Sequence, residues 1–263
     1  MLALIAGSGG LPAAVAAAQD TAPVVCALEG FTPEGLEVDL PFRLERLGTL
    51  LEQLQDRGVT QVCFCGAVQR PAVDPAAIDA ATMPLVPVLM QAIASGDDGA
   101  LRAVLGIFEA RGFTVRGAHE LAPGILAPEG VLSATWPDDA LCEDEKRGRE
   151  VLAALAPLDV GQGCVAGAGQ IWAVETVGGT DHMLATLPPA VRKTRALLIK
   201  APKTGQDLRV DMPAVGPDTI DAVVAAGLAG LVIMAGQTVL LARDETIRRA
   251  DEAGLVLWSR EPN

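Results

Sequence analysis

Leu2-Ala-Leu-Ile-Ala-Gly-Ser-Gly-Gly-Leu-Pro-Ala-Ala-Val-Ala-Ala-Ala18 opens the chain, and its pattern decides the fold. The apolar run Leu2 to Ala6 reads as a buried strand. Gly7-Ser-Gly-Gly10 then turns the chain, and Leu11-Pro12 starts an Ala-rich helix that runs to about Ala18. Pro12 suits the first helical turn, where a missing N–H costs nothing. Val24 to Leu28 is the next strand, which completes a βαβ opening. A glycine turn at a helix N-terminus offers backbone N–H groups and a positive dipole end to a phosphate. Gly7, Ser8, Gly9, Gly10 and Leu11 are therefore candidate phosphate contacts; the plainer reading is a strand-to-helix turn. The turn departs from G-x-G-x-x-G because Pro12 takes the third glycine position. Glu29 lies near the place of an acidic ribose ligand, so an NAD-type oxidoreductase is a competing reading.

Outward from this opening, Leu44, Leu47, Leu51 and Leu54 recur at helical spacing, and Val59 to Cys65 reads as a strand. Gly66-Ala-Val-Gln-Arg-Pro71 leaves its carboxyl end, the edge where open parallel sheets hold ligands, so Arg70 is a candidate nucleotide contact. Ser95 reads as an N-cap with Asp98 three residues on. Leu101, Val104, Leu105 and Phe108 form an apolar stripe that Gly112 closes, and Phe113 to Arg116 is a further strand. Asp97 and Asp98 read equally as first-turn acids favoured by the helix dipole or as metal ligands at the sheet edge. Proline and glycine accumulate from Ala122 to Asp139, which predicts a domain boundary there, with one domain over 1–130 and a second over 131–263.

In the second half, a charged helix is expected over Glu143 to Ala154 and two strands around a glycine turn over Cys164 to Glu175. Arg195 to Ala201 and Leu255 to Ser259 read as strands. Leu231 to Ala235 and Val239 to Ala242 read as a hairpin turning at Gly236-Gln237. The fold class is α/β: an N-terminal Rossmann-like parallel-sheet domain and a C-terminal mixed α/β domain.

Composition limits the function. Half of the 263 residues are hydrophobic, aromatics make up 3%, and Tyr is absent, so Ala, Val, Leu and Ile must build the core. The net charge of −13 argues against nucleic acid, which needs clustered Lys and Arg, and against a basic membrane patch. The five cysteines, odd in number and with no secretory signal in view, read as reduced thiols in a cytoplasmic protein. Cys63 and Cys65 share one face of a strand; with only His119 and His182 available elsewhere, core packing is preferred to zinc.

Lys200-Ala-Pro-Lys-Thr-Gly-Gln-Asp-Leu-Arg-Val-Asp-Met-Pro-Ala-Val-Gly-Pro217 holds the densest chemistry. Lys200, Lys203, Gln206 and Arg209 can meet phosphate oxygens, and Asp207 and Asp211 can hold a divalent metal. An extended segment would set Asp207 and Arg209, or Arg209 and Asp211, on one face. The alternative is a solvated charged loop closed by surface ion pairs. Glu175 and Gly178-Gly-Thr-Asp181 follow a strand closely, which adds Gly179, Thr180 and Asp181 to the candidates; Asp181 also suits a helix N-cap. His182 reads as a surface or core histidine rather than a base.

Ile5 to Pro12, Gly66 to Pro71, Ser95 to Val104, Gly179 to Asp181 and Lys200 to Thr219 together resemble the UDP-2,3-diacylglucosamine pyrophosphatases of the LpxI type. The resemblance spans both halves, and its C-terminal block is the specific part. It implies Mg²⁺-dependent hydrolysis of a UDP-linked acylated glucosamine lipid to UMP and the acylated sugar 1-phosphate, in lipid A biosynthesis, with the ligand between two domains. Asp181, Asp207 and Asp211 are then the metal or base candidates, with Asp97 and Asp98 as further metal candidates. Transient inner-membrane contact would be apolar, and self-association is left open. One departure stands out. Thr219 to Leu228 reads as a helix with Ile220, Val223, Val224 and Gly227 on its apolar stripe and Ala225 opposite. The family commonly carries an acid where this chain has Ala225, which leaves three readings open: impaired turnover, a non-catalytic nucleotide-lipid binding protein, or an incidental surface alanine.

Overall fold

The computed structural model describes the chain apart from residues 69–72, 95–96, 204–206 and 263, and apart from the side chains of residues 92–98. It divides into two compact units, Met1–Gly124 with Asp207–Asp211, and Ile125–Gln206 with Met212–Asn263.

The first unit contains β1 (Leu2–Ala6), α1 (Leu11–Ala17), β2 (Val24–Leu28), β3 (Leu40–Phe42), α2 (Leu47–Asp56), β4 (Gln61–Cys65), α3 (Val86–Ala94), α4 (Asp97–Ala110), β5 (Thr114–Val115) and α5 (Ala118–Leu121). Among the described residues its strands form one parallel sheet in the order β3-β2-β1-β4-β5. The opening strand is central, with Ile5 level with Cys26 on one side and Phe64 on the other. Such a strand is covered on both faces, which explains its unbroken apolar run. Leu47, Leu51 and Leu54 of the expected stripe are buried on α2, joined by Leu50, while Leu44 is half-buried in the 3-10 turn that precedes the helix. Phe108 of α4 packs edge-on against Phe64, with ring centroids 5.1 Å apart. The expected cap at Ser95 lies outside the described residues.

The second unit contains β6 (Gly130–Val131), α6 (Asp139–Leu155), β7 (Gly163–Gly167), β8 (Gln170–Val174), α7 (Gly179–Ala185), β9 (Leu197–Lys200), β10 (Ala214–Val215), α8 (Pro217–Ala226), β11 (Gly230–Met234), β12 (Val239–Leu240), α9 (Arg243–Glu252) and β13 (Val256–Arg260). Its main sheet runs β6-β13-β11-β9-β7-β8, mixed because β6 and β7 run against their neighbours. Alternate residues serve opposite layers. Leu198, Leu231 and Ile233 join Ile220 and Val223 of α8, whereas Leu197, Ile199 and Val232 join Leu141 and Leu152 of α6. The two-part α/β class expected from the sequence is the observed one. The chain passes between units at Gly124–Ile125, and β6 belongs to the second because Gly130 pairs with Ser259.

Three local expectations need correction. Leu231–Ala235 and Val239–Ala242 do not form a hairpin. β11 is already paired on both edges, by β9 and β13, so β12 pairs in parallel with β10 instead. On α8 the buried residues are Ile220, Val223 and Ala226, while Val224 is 46% exposed, because the inward face is rotated toward Ala226 relative to the sequence stripe. Asp207–Asp211 is not extended: the amides of Val210 and Asp211 both donate to the Asp207 carbonyl, which closes a turn.

Candidate functional site

The glycine turn after β1 is shaped first by the packing of its own unit. The Gly7 amide donates to the Cys65 carbonyl at 2.8 Å, and Ser8 and Ala67 exchange two backbone bonds of 2.9 Å. A Cβ on Gly7 would lie 2.5 Å from the Ala67 oxygen, and Gly66, at φ +94°, approaches Gly7 just as closely. Gly7 and Ser8 therefore spend their N–H groups on the chain leaving β4. Gly9 carries a φ of +91°, and its carbonyl accepts from the Glu34 amide. Gly10 is the N-cap of α1 and brings no side chain to the first-turn amides around Leu11, so that end of the turn is where a phosphate would meet backbone donors. Arg70 lies outside the described residues.

In the second unit, three sequence candidates converge at the ends of their elements. β9 ends on Lys200, whose ammonium donates to the Thr180 hydroxyl at 2.9 Å. That hydroxyl donates in turn to the Glu175 carboxylate at 3.1 Å. Lys200 and Glu175 are only 7% and 9% exposed, and charges so buried require polar partners. Thr180 stands in the first turn of α7, which starts at Gly179, a residue with φ +76° that an L side chain rarely adopts. Gly178, not Asp181, is the N-cap; Asp181 occupies the first turn, exposed, where the helix dipole favours an acid. His182 is exposed, as expected. Glu175 is the functional candidate whose importance the sequence conceals. Its signal was the pair Gly161 and Gly163: a Cβ at either would fall within 2.1 Å and 2.5 Å of Glu175 atoms, respectively.

The remaining cations of the Lys200 to Pro217 stretch are paired. Lys203 forms an ion pair with Asp159 in the second unit. In the first unit the Arg209 guanidinium binds Asp207 through Nε and Nη2 and Glu109 through Nη1. These bonds hold the Asp207 carboxyl below the usual range, which makes it a poor base near neutrality. Asp211 is half-buried in the same turn. Gln206 lies outside the described residues, as do the side chains of Asp97 and Asp98, whose backbone starts α4.

Among the described residues, no three His, Cys, Asp or Glu side chains gather as a metal cluster. Mg²⁺ does not require one, since it commonly takes one or two carboxylates plus substrate phosphates and water. Asp181, the exposed carboxylate beside Thr180, fits such a partial donor set. The cysteines do not bring nucleophilic chemistry: burial pushes the Cys26 and Cys164 thiols up to about 12, and a hydrogen bond with Cys63 together with burial raises Cys65. Ala225 lies exposed in the last turn of α8, where its carbonyl accepts from Arg192. No helix among the described residues is long and apolar enough to cross a membrane.

Residues 1–125 match the LpxI N-terminal domain family and residues 128–258 the LpxI C-terminal domain family. The UDP-2,3-diacylglucosamine pyrophosphatase LpxI of Caulobacter vibrioides is 36% identical over 273 residues, a match that spans 99% of this chain and 98% of that relative. The chain belongs to the LpxI family.

Proposed function

We propose that this member of the LpxI family hydrolyses the pyrophosphate bond of UDP-2,3-diacylglucosamine, giving UMP and 2,3-diacylglucosamine 1-phosphate in lipid A biosynthesis. The observation that carries the reading is the end-to-end match to the Caulobacter relative, with both family domains in order. It displaces the oxidoreductase reading, which rested on a glycine turn that lacks its third glycine.

The chemistry available at the site fits this reaction. A pyrophosphate resists attack because its own charge repels nucleophiles, and a buried cation offsets that charge where water is scarce. Lys200 is such a cation, and Thr180 orients it. Water adds to one phosphorus, the bridging P–O bond breaks, and the released proton goes to solvent or a carboxylate. Asp181, exposed in the first turn of α7, is the candidate for that proton, whereas Asp207 is held by Arg209. A bound Mg²⁺ would supply further charge neutralisation at the phosphates, with Asp181 as the carboxylate candidate of the second unit. Within the first unit, the first-turn amides after Gly9 and Gly10 remain the candidate donors to a phosphate.

The acyl chains and the cytoplasmic face of the membrane call for apolar surface. Ala80 to Ala94 carries no ionisable residue, and Met83 and Met90 are 58% and 61% exposed. Met83, Val88 and Met90 are the exposed apolar side chains of this stretch that would supply that surface. Binding to phospholipid vesicles should persist when salt is raised; salt-sensitive binding contradicts it.

The decisive assay is UMP release from UDP-2,3-diacylglucosamine with Mg²⁺, and with a chelator. Release that stops on chelation and returns with Mg²⁺ supports the whole reading. Release that persists under chelation removes the metal from it, and no release removes the activity. The second reading, a binding protein with impaired turnover, rests on Ala225. Equal release by the chain and its Ala225→Asp variant overturns that second reading; a gain in the variant supports it.

A further inference from the structure

We propose that Glu175 is a positioning residue: acting through the Thr180 hydroxyl, it fixes the direction from which the Lys200 ammonium meets a substrate phosphate. The inference rests on the pyrophosphatase reading and adds a residue that takes no part in bond making.

The argument is one of donors and acceptors. An ionised carboxylate only accepts, and a threonine hydroxyl has one proton to give. With Glu175 Oε2 at 3.1 Å, the Thr180 proton is committed to the carboxylate. A lone pair of the hydroxyl oxygen is thereby turned to Lys200 Nζ at 2.9 Å, and one ammonium N–H is fixed on it. That bond fixes the direction of one of the three ammonium N–H groups.

The surroundings are built around this carboxylate. The Glu175 amide donates to the Gly163 carbonyl at 2.8 Å, which anchors the residue just beyond β8. A side chain on Gly163 would strike Oε2 at 2.5 Å, and one on Gly161 would strike the Glu175 carbonyl at 2.1 Å. Three elements, the end of β8, the first turn of α7 and the end of β9, thus converge on one hydroxyl. A carboxylate placed only to fill space would cost desolvation that an apolar side chain avoids.

The test titrates inorganic pyrophosphate calorimetrically into the full chain and into Glu175→Gln, Thr180→Ser, Thr180→Val, Lys200→Met and the Glu175→Gln/Lys200→Met pair, with UMP release and melting temperature measured beside it. Glu175→Gln and Thr180→Val should each weaken pyrophosphate binding about tenfold, the scale of a lost charge-assisted bond, while Thr180→Ser stays near wild type. In the Lys200→Met background, Glu175→Gln should add no further loss, because it acts through the lysine. Wild-type affinity in Glu175→Gln, equal losses in Thr180→Ser and Thr180→Val, or additive losses in the double variant overturn the inference, as does a wild-type chain that binds no pyrophosphate. A chain that binds pyrophosphate but releases no UMP overturns the pyrophosphatase reading and leaves the role of Glu175 standing. Should Glu175→Gln fail to fold, the Thr180→Ser and Thr180→Val pair decides the matter.

Discussion

Lys200 and Arg209 stand nine positions apart in one loop-rich stretch, yet the structure treats them as opposites. Arg209 belongs to the first unit, is 36% exposed, and is tied to two carboxylates. Lys200 belongs to the second unit, is buried, and meets a hydroxyl oriented by a third residue. Arg209 fastens the Asp207–Asp211 turn to its unit, whereas Lys200 is held in place with its charge concentrated at a strand end. A cluster of charges in sequence is thus divided by folding into an anchor and a candidate phosphate contact.

The largest effect expected from this contrast is on Lys200→Met. Removing one preorganised donor to developing charge typically costs about 10²–10³ in rate, and a loss of that size in UMP release should follow. A loss below tenfold would return Lys200 to a purely structural role. Next comes Gly7→Ala, a probe of the first unit alone. Its methyl would sit 2.5 Å from the Ala67 oxygen, backbone that must move, so a cost of about 1–3 kcal/mol should show as a lower melting temperature. An unchanged melting temperature would mean that the turn is free to serve a ligand rather than its own strand. The smallest effect should belong to Arg209→Met. Partly exposed ion pairs contribute about 0–1 kcal/mol, so UMP release should fall less than about fivefold. A hundredfold fall would make Arg209 a phosphate contact after all.

Much of the fold was legible because local physics and tertiary packing agree in it. The central strand Leu2–Ala6 reads as buried from composition alone, and the leucines of α2 fall on one helical face. What escaped was decided by partners distant in sequence. β12 sits beside β10 rather than β11 because both edges of β11 are taken, and nothing within Leu231 to Ala242 encodes that. The short strands β3 and β10 carry too few residues to show a period.

The site was legible in kind rather than in arrangement. Thr180 and Lys200 were identifiable as residue types suited to phosphate, but their meeting depends on β9 and α7 ending together. The role of Glu175 was hidden because its signature is an absence, the missing side chains at Gly161 and Gly163. Asp207 read as a metal or base candidate and Arg209 as a phosphate contact, with ion pairing as the plainer alternative, and the structure pairs the two within a closed turn.

The central claim is most directly tested by measuring UMP release from UDP-2,3-diacylglucosamine with the wild-type chain, Lys200→Met and Arg209→Met in one assay. The account predicts release by wild type, near-wild-type release by Arg209→Met, and a loss of about a hundredfold or more in Lys200→Met. Equal losses in the two variants, or full activity in Lys200→Met, would contradict it.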